Sequence, residues 1–185
     1  MLNSIIITDL SDAVSFSFKE KKENVWISVV DEEDKNKIRT IKNNFAKKGV
    51  HHFAQYFYDW SDEDQDNYIV RNIEEEGPRL QHVNNIISFL RPFVESDKVC
   101  NLGVNCFAGV SRSTAIGIIA WVLQGKTPLE AFEEIKKVRY QARPNLRILR
   151  FASEILKQDL YTPVKEWKQL QVGHIFYDPK TAWSM

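Results

Sequence analysis

The sequence contains little cysteine, no excess of either charge and no long apolar run. Among its 185 residues, Lys plus Arg equals Asp plus Glu at 25 each, so no overall basic charge attracts nucleic acid or an anionic membrane. The longest apolar run, residues 115–123, has nine residues, whereas a membrane-spanning helix needs ~20. A signal peptide begins with a positively charged stretch, and none precedes the first apolar residues of this sequence. We therefore expect a cytoplasmic protein.

The two cysteines, Cys100 and Cys106, suit neither a disulfide nor a zinc site. On one extended strand they would lie about 20 Å apart, at ~3.3 Å per residue, which is too far for a disulfide. Neither cysteine has a second thiol or a His-x3-His spacing beside it. The histidines are scattered, at His51, His52, His82 and His174. We expect no metal site and no cofactor.

Apolar runs alternate with amphipathic segments along the chain. Strands are predicted at residues 4–8, 24–31, 50–59 and 98–104. Helices are predicted within residues 31–49 and 77–93, and at 112–123, 128–139 and 145–156. This alternation predicts an α/β fold with a mainly parallel central sheet of four to five strands, covered by helices on both faces.

Two segments require a specific prediction. Within residues 77–93, Pro78 suits the first helical position, and apolar residues from Leu80 to Leu90 follow a helical period. Pro92 is expected to kink or end this helix. Residues 161–185 show no clear period, so we predict an irregular C-terminal segment that packs back onto the domain formed by residues 1–160.

The predicted strand at residues 98–104 leads directly into the segment NCFAGVSRSTA, residues 105–115. In open parallel sheets, ligands bind at the turns that follow the strands. Backbone N–H groups of such a turn, with the N-terminus of the next helix, can surround one anion. Gly109 permits a backbone conformation that a side chain would obstruct, and the planar Arg112 guanidinium can bind two anion oxygens. The predicted phosphate-binding residues are Phe107, Ala108, Gly109, Val110, Ser111 and Arg112.

Cys106 lies at the floor of this predicted pocket. Helix N-termini and an arginine nearby favour the thiolate form of a cysteine, and a thiolate that faces a phosphate monoester can attack phosphorus. Ser113 can donate a hydrogen bond to the thiolate and ease its departure in a second, hydrolytic step. An arbitrary cysteine is usually a small buried apolar residue. Here the Gly-x-Ser-Arg-Ser pattern that follows Cys106 is improbable by chance.

The loop resembles the His-Cys-x-x-Gly-x-x-Arg signature of the cysteine-dependent protein phosphatases. Its Ser-Arg-Ser ending is typical of the compact dual-specificity branch and of small bacterial relatives, and the resemblance extends over about residues 25–156. It implies that Cys106 is the nucleophile, that Arg112 binds phosphate and that Ser113 assists thiolate release. The family also carries a Pro-Asn pair whose asparagine supports the loop, and Asn145 matches it.

Asn105 departs from this pattern, because the family usually has histidine before the cysteine. Histidine there belongs to the hydrogen-bond network that orders the loop. Asparagine can replace a neutral donor but not a cation, so we expect the thiolate of Cys106 to be less favoured than is usual in the family.

Expulsion of the leaving oxygen requires a proton donor. The candidates lie in the acidic loop after the third predicted strand: Asp59, Asp62, Asp64 and Asp66. We favour Asp59, because it ends an aromatic strand and the family's acid usually follows a strand that ends in an aliphatic or aromatic residue. Asp62 remains the main alternative, since the separation from Asp59 to Cys106 exceeds that in many compact members.

The leading hypothesis is a metal-independent phosphomonoester hydrolase, a tyrosine or dual-specificity protein phosphatase. Its expected partners are a phosphorylated protein as substrate and phosphate, sulfate or vanadate in the loop. An inositide or an RNA 5′ phosphate stays open as substrate, although the uncharged residues of FAGVS favour phosphoprotein. A catalytically weak phosphoprotein-binding module is the alternative. Arsenate reduction lacks a second thiol within reach, and the Ser-Arg-Ser ending argues against sulfur transfer.

Four arginines recur at spacings of three to four residues in the C-terminal half: Arg139, Arg143, Arg147 and Arg150. They can form a basic rim for a phosphorylated substrate. Surface solubility with local ion pairing is the interpretation we favour.

Overall fold

The computed structural model describes residues 1–19, 22–61 and 76–175. Four parallel strands form one sheet in the order β1-β4-β2-β3. Their bounds are β1 Leu2–Thr8, β2 Glu23–Val30, β3 His51–Tyr56 and β4 Cys100–Asn105. The predicted parallel α/β fold is confirmed.

Seven α-helices surround the sheet in the described part of the chain. They are α1 Leu10–Ser15, α2 Lys35–Ala46, α3 Leu80–Val94, α4 Arg112–Leu123, α5 Pro128–Val138, α6 Leu146–Leu156 and α7 Tyr161–Ile175. Among the described residues, no helix is both long enough and apolar enough to cross a membrane.

The helices divide between the two faces of the sheet because strand side chains alternate. Trp26 points to the side covered by α1 and α2, where it packs with Ile41 and Phe45. The neighbouring Ile27 belongs to the larger core on the other side, which includes buried residues of α3, α4, α5 and α6. Helix α4 has ten buried residues out of twelve, so it is the central helix of that layer.

Strand β3 ends earlier than predicted. This strand was predicted to continue to Asp59, but it ends at Tyr56. Phe57 N still donates to Val30 O, at 3.1 Å, whereas Tyr58 N turns away and donates to Glu76 O, at 2.9 Å. Asp59 therefore lies outside the sheet ladder.

Helix α1 was not predicted; it is short and begins where the Asp9 side chain accepts from Asp12 N.

The prediction for α3 was wrong at the start of the helix. Arg79 is the N-cap, so Pro78 precedes the helix instead of occupying its first position. Leu80 is 45% exposed and lies off the buried face. Of the two outcomes expected for Pro92, the helix does not end there, since it continues to Val94; a kink stays a prediction.

The expectation of irregular structure after Leu160 was also wrong, because residues 161–175 form α7. The Asp159 carboxylate caps this helix by accepting from Tyr161 N and Thr162 N, at 3.0 and 2.9 Å. Trp167 packs edge-on against Phe132 of α5, with ring centroids 4.7 Å apart. Residues 176–185 lie outside the described residues, and the division at residue 160 stays a prediction.

Candidate active site

The loop after β4 lies where all four strands end. Asn105 is the last residue of β4, and α4 begins at Arg112. Asp31 follows β2 directly, and Thr8 ends β1. The carboxyl ends of parallel strands share one edge, so residues that are remote in sequence meet here.

The carbonyl groups of the loop bind surrounding segments. Phe107 O accepts from Leu10 N at 3.1 Å, and Ala108 O accepts from Arg139 Nη2 at 2.7 Å. Two further carbonyl groups of the loop are bound in the same way: Val110 O accepts from Arg143 N at 2.9 Å, and Ser111 O accepts from Asn145 N at 3.3 Å. In a trans peptide the C=O and the following N–H point in opposite directions. The N–H groups that consequently face the inside of the loop are those of Ala108, Gly109, Ser111 and Arg112.

Gly109 allows the loop to lie against β1. Its φ is +68°, and a Cβ at this position would lie 2.6 Å from the carbonyl of Thr8. Both the left-handed backbone and the close approach therefore require glycine. On the helix side, the Thr114 hydroxyl lies 2.6 Å from Val110 O and 2.8 Å from Ser111 O, and its proton can be donated to either oxygen. This contact ties the loop to the first turn of α4.

The Cys106 sulfur is buried at the start of this loop. Its residue is 1% exposed, and Sγ lies 3.2 Å from Ser113 Oγ. Cys100 lies at the opposite end of β4, and both cysteines are free thiols, as expected from their predicted separation on one strand. The structure brings the predicted nucleophile together with the predicted assisting serine.

The Arg112 guanidinium forms hydrogen bonds through Nη1 but not through Nε among the described residues. Its Nη1 donates to Asp31 Oδ1, at 2.6 Å, and to Phe57 O. The residue is 2% exposed, yet Nε has no hydrogen-bond partner among the described residues. Asp59 Oδ2 lies 3.8 Å from Nε, beyond hydrogen-bond length. A buried guanidinium N–H without a hydrogen-bond partner, beside inward-facing backbone N–H groups, is a suitable site for an anion.

Asp59 lies above the loop and is fixed by side chains. Its Oδ1 accepts from Ser111 Oγ at 2.7 Å and from Asn145 Nδ2 at 2.8 Å. The Asp59 side chain is 35% exposed, so the carboxyl group reaches solvent. The competing candidates Asp62, Asp64 and Asp66 lie outside the described residues.

Asn145 connects three parts of the site. Its Nδ2 also donates to Trp60 O at 2.9 Å, while its Oδ1 accepts from Ile148 N at 3.1 Å and caps α6. Its backbone N–H supports the loop carbonyl of Ser111. One buried side chain therefore positions the Asp59 segment, the loop and a helix N-terminus.

The four arginines of the C-terminal half do not share one surface role. Arg139 and Arg143 contact loop carbonyls, the first through its guanidinium and the second through its backbone N–H. Arg147 is buried, and its Nε donates to Pro78 O at 2.9 Å. Arg150 pairs with Glu154 on the exposed side of α6. The favoured interpretation as surface charges was therefore wrong for Arg147 and incomplete for Arg139.

Sequence reasoning missed two contributors. Asp31 binds Arg112, and the sequence signal for it was its position directly after the apolar run of β2. Glu33 accepts a hydrogen bond from the Tyr58 hydroxyl, which lowers the pKa of Glu33 and raises the pKa of Tyr58 to about 12. This contact ties the segment that carries Asp59 to the turn after β2.

Within the part of the chain that the structure describes, no cluster of His, Cys, Asp and Glu is arranged to hold a metal ion. The site consists of a cysteine, an arginine, carboxylates and backbone N–H groups.

No family model and no curated protein sequence matches this chain. Solved structures do match. The active form of Tk-PTP is 13% identical, with a TM-score of 0.50 over 83% of this chain and 89% of its own. PTPMT1 is 16% identical, with a TM-score of 0.51 over 90% and 94%. The human tyrosine phosphatase-like serine/threonine/tyrosine-interacting protein is 18% identical, with a TM-score of 0.51 over 83% and 91%. These similarities establish a shared fold.

Proposed function

Because the chain has the fold of the tyrosine and dual-specificity protein phosphatases, we propose that it hydrolyses phosphate monoesters through a phosphocysteine on Cys106. The observation that carries the proposal is the buried Nε of Arg112, which has no hydrogen-bond partner among the described residues, at the end of a loop whose N–H groups face inward. Such a cage would stabilise a bound dianion, and the proposal requires its phosphorus to lie next to the cysteine sulfur.

In the first step, the Cys106 thiolate attacks phosphorus and the bond to the leaving oxygen breaks. Asp59 donates the proton that this oxygen needs. Its Oδ1 already accepts two hydrogen bonds, so Oδ2 is the oxygen that carries the proton. Arg112, held by Asp31, binds two of the phosphoryl oxygens along its free edge.

In the second step, water attacks phosphorus and the sulfur leaves as thiolate. Asp59, now ionised, accepts a proton from that water. Ser113 Oγ lies 3.2 Å from Sγ and donates to the thiolate as it departs. The products are inorganic phosphate and the regenerated enzyme, and no metal ion takes part.

A phosphorylated protein is the substrate we favour, since the loop side chains between Cys106 and Arg112 are uncharged. PTPMT1 has also been solved in complex with PI(5)P, at a TM-score of 0.50 to this chain, so an inositide belongs in the same assay panel. A phosphotyrosine peptide, a phosphoserine peptide and the inositide, compared at equal concentration, would separate these classes.

The first test is hydrolysis of p-nitrophenyl phosphate in EDTA with reductant, for the wild type and Cys106→Ser. We expect turnover that disappears in the variant. Cys100→Ser is the matched control, because burial raises the pKa of the Cys100 thiol and its sulfur lies at the far end of β4. Turnover that survives in Cys106→Ser would contradict the proposal.

A catalytically weak phosphoprotein-binding module remains the second candidate, and Asn105 in place of the usual histidine is what favours it. It predicts vanadate binding by the wild type without p-nitrophenyl phosphate turnover. Measuring vanadate binding on the same samples distinguishes the two.

A further inference from the structure

Asn105 is held in a buried hydrogen-bond network on the α1 and α2 face of the sheet. Trp26 Nε1 donates to Asn105 Oδ1 at 2.8 Å, and Ser28 Oγ donates to the same oxygen at 2.7 Å. Ser28 Oγ also lies 3.0 Å from His52 Nε2. Trp26, Ser28 and Asn105 are each completely buried.

The register of the sheet explains this arrangement. Ser28 is paired with Asn105, and Trp26 is paired with Gly103 on one side and His52 on the other. Residues paired in this way point to the same face. A Cβ on Gly103 would lie 2.0 Å from the Trp26 ring. Glycine at this position therefore lets the indole lie over β4 and reach Asn105.

Counting donors fixes the direction of each hydrogen bond. Indole Nε1 can only donate, so the Asn105 atom that it meets is the oxygen. The single hydroxyl proton of Ser28 is directed at that same oxygen. Ser28 Oγ must therefore accept from His52, which places a proton on Nε2. Burial lowers the pKa of His52 to about 4, so at neutral pH this is the only proton that the ring carries. Its Nδ1 is buried without a hydrogen-bond partner among the described residues.

We propose that His52 is a positioning residue for the loop of residues 106–111. Through Ser28, and together with Trp26, it fixes Asn105, which is the last residue of β4 and directly precedes Cys106. The network occupies both acceptor sites of Asn105 Oδ1, so the carboxamide has one orientation. Because β4 ends at Asn105, that orientation sets the start of the loop. A histidine on β3 thus takes part in ordering a loop whose own sequence has asparagine before the cysteine.

The inference rests on the proposed function only where turnover is measured. The test therefore uses two measurements that do not depend on turnover. These are the rate of Cys106 alkylation by iodoacetamide, read by mass spectrometry of the modified peptide, and the dissociation constant of vanadate. The variants are Ser28→Ala, His52→Phe and His52→Gln, the last of which keeps a donor near the Nε2 position. Ser4→Ala is the matched control, since it removes a Ser-to-Asn hydrogen bond of 2.9 Å at the other end of β4.

We expect Ser28→Ala and His52→Phe to change the alkylation rate and weaken vanadate binding about two- to tenfold, the range for one buried hydrogen bond. His52→Gln and Ser4→Ala should stay near the wild type. If His52→Phe does not fold, Ser28→Ala carries the test. Unchanged alkylation and vanadate binding in a folded Ser28→Ala, or equal losses in His52→Gln and His52→Phe, would overturn the inference. A wild type without turnover contradicts only the proposed hydrolysis.

Discussion

Ser111 Oγ donates a 2.7 Å hydrogen bond to the carboxylate of Asp59, which lies 52 residues earlier in the chain. This bond joins the proposed proton donor directly to the proposed phosphate-binding loop, residues 107–112. A substrate bound in the loop would therefore find the carboxyl group held beside it by the same residues that bind its phosphate. The arrangement predicts that the acid and the loop act together.

Asp59→Asn should reduce turnover with little effect on vanadate affinity. General acid catalysis typically contributes about 10²- to 10⁴-fold, and the loss should grow as the leaving group becomes more basic. The measurement compares kcat for p-nitrophenyl phosphate and an alkyl phosphate. Asp62→Asn is the control for the alternative acid; an unchanged kcat in Asp59→Asn would move the role to another residue.

Asn145 has separable roles that substitutions can divide. Asn145→Ser keeps a side-chain oxygen that can cap α6, so stability should fall by less than the ~1 kcal/mol usual for loss of a cap. It nevertheless removes the Nδ2 donor to Asp59, so kcat should fall about two- to tenfold. Asn145→Ala should lose both the cap and the donor. Equal unfolding midpoints for the two variants would contradict this division.

Asp31 positions Arg112, because its carboxylate binds Nη1 and leaves Nε directed to the site. Asp31→Ala removes the carboxylate that is hydrogen-bonded to that buried guanidinium, so vanadate affinity should fall about tenfold or more. Asp31→Asn keeps an acceptor oxygen and should lose less. Asp34→Ala removes an exposed pair with Lys37 and serves as the control. Equal vanadate affinities in Asp31→Ala and Asp34→Ala would be evidence against the positioning role.

The sequence predicted the parallel sheet and the loop because both depend on local signals. Buried parallel strands are nearly continuous apolar runs, and Cys106, Gly109 and Arg112 lie within seven residues. Asp31 was missed because its importance depends on which strands are neighbours, and strand order is a property of the tertiary structure. The same holds for His52, whose link to Asn105 passes through β2.

Helix α7, by contrast, had a local signal that was overlooked. Leu160, Val164 and Trp167 recur at spacings of four and three, and Asp159 precedes them as a residue type that caps helix N-termini. The end of β3 had no such signal, because the aromatic residues after Tyr56 continue the pattern of a strand. The chain leaves the sheet there because Tyr58 N finds its partner in Glu76 O.

Gly109→Ala should prevent anion binding, and the chain provides its own control. Gly109 and Gly49 have the same φ of +68°, but a Cβ on Gly49 would meet no atom within 4 Å. Gly49→Ala therefore measures the backbone cost alone, about 1–2 kcal/mol. Gly109→Ala adds the collision with Thr8, so it should destabilise more and abolish vanadate binding. Equal losses of stability with vanadate binding intact would show that the loop does not depend on this close approach.

Acidification should destabilise the protein through His52. Burial, with a smaller contribution from Lys42, lowers its pKa from 6.5 to about 4. The folded state thus binds fewer protons than the unfolded state between these values, so stability is complete above pH 6.5 and falls as the pH decreases towards 4. The full effect is on the order of 3–4 kcal/mol, at ~1.4 kcal/mol per pKa unit. Urea unfolding at pH 7.5 and 5 should therefore give a smaller difference for His52→Gln than for the wild type; an equal difference would mean that His52 protonates as readily in the folded chain as in the unfolded one.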